Sequence, residues 1–332
     1  MGCRVSHTGE CELSAYSRIT WRDQLIGMAF AAPFIVGVAV LLVIPLSLSF
    51  YYSFCHYTML TPPIWIGVKN YTHLLSDDAF VRSLLNTCLF SVISVPLALG
   101  WSLFLALLLN APNRLRNIYR TIVFIPSLLP LVATAVIWRW MLSPVHGPIN
   151  FVLKFPCRWV GGLLADIVMA FHAAPASVHT LRHLKPPLWL ADGNWAMTTI
   201  ILLSLWGVGQ TVIIFLAGLD EIPQELYESA ALDGATGWRR LRHVTLPMLT
   251  PVIFFNLVVG IIASWQVFDL PYVMTHGGPG RATLFYSMYL FEAGFQQLRM
   301  GAACAMAWVQ LVIILLLTVI AFWSARKWVH YR

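Results

Sequence analysis

Six stretches of this chain are each long and apolar enough to cross a lipid bilayer. They are Leu25–Phe54, Phe80–Leu109, Ile118–Leu142, Trp195–Leu219, Leu249–Val273 and Gly301–Ser324. A helix needs about 20 apolar residues to traverse the hydrocarbon core. There every backbone amide must be satisfied within its own element, so apolar runs of this length are read as helices. Composition agrees: of 332 residues, 59% are hydrophobic and 11% charged, against about 25% charged in a soluble domain. That balance excludes an ordinary soluble enzyme, a disordered chain and a nucleic-acid-binding domain. The expected fold class is an all-α membrane protein. Its six transmembrane helices occupy residues 25–325, between an N-terminal segment 1–24 and a tail 326–332.

Basic residues set the orientation. Arg4, Arg18 and Arg22 precede the first stretch, Arg114, Arg116 and Arg120 separate the second from the third, and Arg326, Lys327 and Arg332 follow the sixth. With six spans all of these share one side, which the positive-inside bias makes cytoplasmic. Both termini are then cytoplasmic, and the net charge of +7 reflects this bias. The outer loops are roughly Cys55–Ala79, Ser143–Asn194 and Met274–Met300. The middle one contains an apolar run, Trp159–Phe171, too short to span and expected to lie on the bundle or in the interface. The prolines within spans, Pro33, Pro45, Pro96, Pro126 and Pro130, read as packing kinks. The six cysteines show no pairing or zinc-site spacing, so neither a disulfide framework nor a metal site is expected. Met-Gly-Cys-Arg-Val-Ser at the N-terminus matches an acylation pattern, but a chain that spans repeatedly needs no lipid anchor. No cleavable signal peptide is expected, because no apolar run begins before Leu25.

The inner segment 220–247 carries the most charge. Pro223 suits a helix start, Glu225 sits in the first turn, and Gly234 is a natural stop. A second short helix is expected from Thr236 through His243, closed by Pro247. The result is a helix-turn-helix elbow joined at each end to a membrane span.

Within it stands Glu228-Ser229-Ala230-Ala231-Leu232-Asp233-Gly234, then nine residues, then Val244-Thr245-Leu246-Pro247. This closely resembles the E-A-A-x-x-x-G…I-x-L-P signature of bacterial ABC importer permeases, with Ser229 for the first Ala and Val244 for Ile. Further segments are similar to the sugar-importer branch, which includes the maltose and glycerol-phosphate permeases: Ser83-Leu84-Leu85-Asn86-Thr87, Phe124-Ile125-Pro126, Ile137-Trp138-Arg139-Trp140, Trp189-Leu190-Ala191-Asp192 with Asn194-Trp195, and Gly277-Gly278-Pro279-Gly280. The likeness covers about residues 25–330, with an insertion at about 154–187.

The resemblance implies a coupling helix docked in a cleft of a separate ATPase. It assigns that contact to Glu228, Ser229, Ala230, Asp233, Gly234, Leu246 and Pro247. Glu228 would meet polar groups of the ATPase, Ala230 would allow close approach, Gly234 would supply the turn and Pro247 would fix the exit into the fifth span. The implied partners are a second permease subunit, two ATPase subunits, a periplasmic or extracellular solute-binding protein and membrane lipid, in the bacterial inner membrane. No nucleic acid is implied. ATP and magnesium would sit on the partner ATPase. This chain has no Gly-Lys pair, so it lacks a P-loop, and no hydrolase or zinc-protease motif is present. No catalytic residue, metal site or cofactor of its own is expected.

Polar residues in spans are costly against lipid, so they are the candidates for a solute pathway. They are Trp206, Gln210, Asn256, Ser264, Trp265, Gln266, Asp269 and Tyr272. Aromatic faces and hydrogen-bonding groups together suit a carbohydrate; inter-helix packing is the alternative. The basic insertion (Lys154, Arg158, Arg182, Lys185) suits an acidic binding protein or glycan. The expected function is therefore the permease of an ATP-driven, binding-protein-dependent importer of a carbohydrate-type solute. The competing reading is a secondary carrier working without an ATPase, but no broken-helix repeat supports it.

Overall fold

The computed structural model describes residues 21–111, 114–154 and 187–330. The apolar run Trp159–Phe171, most of the basic insertion, the acylation motif, Arg4, Arg18 and Arg332 lie outside the described residues.

The chain divides into two units, Met1–Tyr52 and Ser53–Arg332. The first holds an apolar helix, Trp21–Val38, that runs through a wide π-turn, Ala39–Val43, into Ile44–Ser53. In that turn the Ile44 amide reaches back five residues to the Ala39 carbonyl. Proline at position 45 lacks an amide and would crowd the carbonyl four residues before it. The wide turn just ahead lets the helix continue past it.

In the second unit, four elements stand out. The second-span helix Asp78–Asn110 keeps Pro96 within it. It contacts helices of the fourth and fifth spans and a short outer helix, Tyr286–Phe291. The fifth-span helix runs Trp238–Trp265 and the sixth Met300–Ala325. At the places expected for the third and fourth spans stand two bent helix pairs. Arg116–Leu128 and Leu131–Met141 meet at 96°, and Gly193–Ser204 and Gly209–Asp220 at 44°. By length, four described helices cross alone, and the two bent pairs raise the number to six when each pair is one span.

Expectation and structure differ at three places. Pro130 does more than kink the third span. Leu129 and Pro130 are both extended (ψ 139° and 129°), because a proline pushes its predecessor out of the helical region. Pro247 does not close a separate short helix: a second π-turn, Leu241–Thr245, carries Trp238–Arg240 straight into Leu246–Trp265. The fifth span therefore begins at Trp238 and ends at Trp265, short of Val273. Finally, the first outer loop contains β-structure. Strands β1 (Cys55–Thr58) and β2 (Thr61–Trp65) form an antiparallel hairpin with Cys55 opposite Trp65, followed by a helix at Lys69–Leu75.

Among the described residues four apolar clusters hold this unit, two of them larger than the rest. The outer one gathers Phe80, Phe90, Ile200, Phe285, Met288 and Met306. The inner one gathers Ala106, Val212, Phe215, Leu219 and Leu249. Between membrane helices close packing does the work that water does elsewhere, so small residues mark the contacts. Gly209 lies against the Val123 carbonyl and Phe124 Cα, where an added Cβ would sit 2.6 and 2.9 Å from them. Gly301 is pressed onto the Cys55 carbonyl of the hairpin.

Candidate functional site

The inner segment is built as a helix, Gln224–Leu232, ending in a left-handed residue. Gly234 has φ +74°. Its amide donates to the Ala231 carbonyl (3.1 Å), and the Ala235 amide donates to the Ala230 carbonyl (2.8 Å). This pair of bonds is a Schellman close, and glycine takes its left-handed position without strain. The helix is tied to the fifth span by Tyr227, whose hydroxyl lies 3.2 Å from Thr245 Oγ1. Beside it, Asp220 at the end of the fourth span meets Arg116 at 3.1 Å and Arg120 at 3.8 Å, and Arg116 also donates to Asn110 Oδ1 at 3.1 Å. A carboxylate is unfavourable at a helix C-terminus; the two guanidinium groups offset that.

The rest of this segment faces outward. Glu228, Ser229, Asp233 and Gly234 are exposed, Ala230, Leu246 and Pro247 half-buried. Leu232 is 91% exposed and Trp238 69%. A Cβ added at Gly234 would meet no atom of the described chain within 4 Å. Large apolar side chains thus stand open at a turn that the chain itself does not crowd.

The pathway candidates do not converge on one point. Asn256 and Ser264 line a groove of about 300 Å³ at the break of the fourth span, together with Ser94, Ser204, Gly207 and Thr211. Asn256 Nδ2 donates to the Val252 carbonyl (2.9 Å), and its Oδ1 accepts nothing from the described residues. Ser264 Oγ lies 2.7 Å from Ser91 Oγ. No charged side chain lines this groove. Trp206 instead packs edge-on against Trp138 (5.5 Å) over a separate, almost wholly apolar groove. Gln210 is exposed beside the break. Trp265 is buried, and its carbonyl accepts from Gln310 (2.6 Å) and Ser287 (3.1 Å). Gln266 opens onto a third groove, of about 620 Å³, with those same two side chains. Asp269 and Tyr272 lie beyond the fifth span, on the short helix Asp269–Thr275.

Sequence reasoning quoted Ser83–Thr87 and the Gly-Gly-Pro-Gly run without giving them a task. Together they form an outer cap. Asn86 Nδ2 donates to the carbonyls of Arg281 (2.9 Å) and Leu284 (3.0 Å). Thr87 Oγ1 accepts the Tyr286 amide at 2.8 Å. Arg139, of the third-span Trp-Arg-Trp, donates to the Val273 carbonyl near the end of the short helix (3.2 Å). Asp77 caps the second span by accepting the Ala79 amide (2.9 Å) and also accepts the Tyr289 hydroxyl. Burial works to raise the Asp77 carboxyl. The Tyr289 hydroxyl, the Ala79 and Phe80 amides and the Arg299 charge outweigh it and hold the group below the ordinary value. Burial first, then Asp77 itself, pushes the Tyr289 hydroxyl up to about 12.

Comparison with known proteins joins these features. Residues 98–329 match the family described as "Binding-protein-dependent transport system inner membrane component". The probable ABC transporter permease protein YesP of Bacillus subtilis (strain 168) is 39% identical over 320 residues, 95% of each chain. The sulfoquinovosyl glycerol transport system permease protein SmoG of Agrobacterium fabrum is 32% identical, over 90% of this chain and 89% of that one. A crystal structure of a bacterial ABC transporter involved in import of the acidic polysaccharide alginate superposes with a TM-score of 0.75 at 25% identity, covering 92% of this chain and 96% of that one. An outward-facing inner turn, a polar groove at a broken span and a match over most of the chain lead to one statement: this chain belongs to the family of inner-membrane permease components of binding-protein-dependent ABC transporters.

Proposed function

We propose that this chain forms half of the translocation pathway of an ATP-driven importer for a carbohydrate-type solute, and passes ATPase motion to that pathway through Gln224–Leu232. The observation that carries the coupling role is the open turn: Gly234 with no neighbour at its Cβ, beside a 91% exposed Leu232. Exposed large apolar groups of this kind mark a contact with another chain. The proposed occupant is a cleft of a separate ATPase subunit, which holds ATP and magnesium. A second permease would complete the pathway, and an external binding protein would deliver the solute. Both termini would lie in the cytoplasm, a reading supported by the arginines between the second and third spans.

The solute is read by uncharged groups. Ser94, Ser204, Thr211 and Asn256 face one groove, and hydroxyls and amides there suit sugar hydroxyls. The Asn256 oxygen has acceptor capacity to spare. The transporter of the acidic polysaccharide alginate shares the fold, which supports extending the solute class to acidic saccharides. ATP binding closes the ATPase pair and draws the two elbows together. The bent fourth span, whose break lines the groove, is the element whose two arrangements that motion would bias.

The test is purification of the tagged chain from its native membrane in mild detergent, with ATPase assay and identification of co-purifying chains. A second permease and an ATPase are expected, both lost with Gly234→Asp. Aspartate tolerates the left-handed turn and meets open space, so the chain itself still folds. A chain that purifies alone and transports without ATP would overturn the proposal in favour of a secondary carrier.

A further inference from the structure

On the membrane face opposite the elbow, beyond the end of the fifth span, five aromatic rings touch in succession. His276 meets Tyr272 at 5.1 Å between centroids, Tyr272 stacks on Phe268 at 4.9 Å, Phe268 meets Phe291 at 5.2 Å, and Phe291 stacks on Phe295 at 5.3 Å. The row starts and ends in the open. His276 is exposed, Phe295 is 56% exposed, and the three rings between them are half-buried. None of these rings lines the groove of Asn256 and Thr211.

Two observations set this row apart from ordinary core packing. Phe268 and Tyr272 pack against the outer core, but the row runs on past it and ends in exposed rings at His276 and Phe295. It also is not the Trp and Tyr girdle that membrane interfaces favour, being mostly Phe. The second observation is backbone. Among the described residues, the only non-glycine residues at left-handed φ are His276 (47°), Arg281 (67°) and Leu298 (56°). All three belong to the segment that carries or adjoins these rings. Such conformations cost free energy and persist where the surroundings fix them, often at binding sites.

We propose that the row His276–Tyr272–Phe268–Phe291–Phe295 is an oligosaccharide-binding platform at the outer mouth, distinct from the groove at the broken fourth span. The proposal rests on the carbohydrate-importer reading. A pyranose has an apolar face of C–H groups and a rim of hydroxyls. The C–H face loses water favourably against an aromatic ring, and the spacing of successive rings is close to the length of one sugar unit. Glu292, in the same turn as Phe295, and Arg281, whose charge acts on Glu292, provide charged hydrogen-bonding groups for the rim. A platform of this shape favours chains of several sugars over single ones, because only a chain covers several rings at once.

The test uses the whole complex in proteoliposomes with its binding protein and ATP. The probes are maltohexaose, xylohexaose, hexagalacturonate and hexaguluronate, each with its monosaccharide. For the series that the wild type imports, Phe295→Leu is expected to raise the KM for the hexasaccharide relative to the monosaccharide by about 2- to 10-fold, with Phe295→Tyr restoring it. Leucine keeps the apolar bulk at an exposed position but removes the flat face, so a merely structural role would leave the ratio alone. An unchanged ratio in Phe295→Leu overturns the platform while the importer reading stands. A wild-type complex that moves none of the probes under ATP overturns both.

Discussion

The two ends of this permease are finished differently. At the inner end, a Cβ at Gly234 would meet no described residue within 4 Å, and Leu232 and Trp238 stand in the open. At the outer end, side chains of the second span reach almost 200 residues along the sequence to hold the cap, from Asn86 to Leu284 and from Thr87 to Tyr286. The cap is tied by hydrogen bonds within the chain, whereas the elbow leaves large apolar side chains exposed. The proposed coupling role requires that open surface; the cap needs no other chain for the bonds that hold it.

Two glycines set the contrast most sharply and carry the largest expected effect. Gly301, where the sixth span meets the hairpin, has the Cys55 carbonyl in the space a Cβ would need. That neighbour is backbone and cannot rotate away. Gly301→Ala is expected to cost about 1–3 kcal/mol, the range for overpacking. It should show as a lower melting temperature of the purified chain in detergent. Gly234→Ala meets only the left-handed penalty of about 1–2 kcal/mol, which Gly234→Asn should reduce. If Gly301→Ala melts like wild type, the outer end is less tightly closed than described here.

Asn86→Ala comes next. It removes two donated bonds, an exposed one to the Arg281 carbonyl and a part-buried one to the Leu284 carbonyl, each worth about 0.5–1.5 kcal/mol. Faster hydrogen exchange across 277–286, with the elbow unaffected, is the expected signature. Equal change at both ends would mean that cap and elbow are one cooperative unit.

Sequence reading performed unevenly along the same divide. The inner turn was legible because its determinants are local: a proline start, a glycine stop and a fixed spacing to Leu246-Pro247. The course of the fifth span was misjudged there. Pro247 looks like a terminator unless one knows that the π-turn Leu241–Thr245 precedes it. The cap was not legible, since its bonds join residues far apart in sequence and no periodicity announces them. Among the pathway candidates, polarity alone selected Asn256 and Ser264, which line one groove. It could not separate them from Trp206, whose neighbour Trp138 comes from a different span, and it passed over the groove's small hydroxyl residues Ser94 and Thr211.

The Asp77–Tyr289 bond gives the outer cap a pH window. The Asp77 carboxyl is held below its ordinary 3.8, so its contribution is present above that value and fades as pH falls through the lower folded value. Tyr289 is raised from 10.0 to about 12, so its contribution is present below 10.0 and fades as pH rises through about 12. Protection of the amides at 77–80 should therefore fall at both extremes. In Asp77→Asn the acid limb should disappear; an acid limb that persists would assign the transition to another carboxylate.

The smallest effect tests how the open end is fastened. Tyr227 is the elbow side chain that reaches the fifth span by a hydroxyl, 3.2 Å from Thr245 Oγ1, while its ring packs on the inner core with Leu219 and Leu249. Tyr227→Phe keeps the ring and deletes one neutral hydrogen bond, worth about 0.5–1.5 kcal/mol. Stability should hardly move, because the Thr245 hydroxyl keeps helix carbonyls within reach as substitutes. Coupling is a different quantity. If the elbow passes motion to the fifth span partly through this bond, solute moved per ATP hydrolysed should drop in Tyr227→Phe with ATPase activity retained. If the ratio holds, the continuous helix Trp238–Trp265 transmits the motion by itself, and the bond serves only to seat the elbow against the inner core.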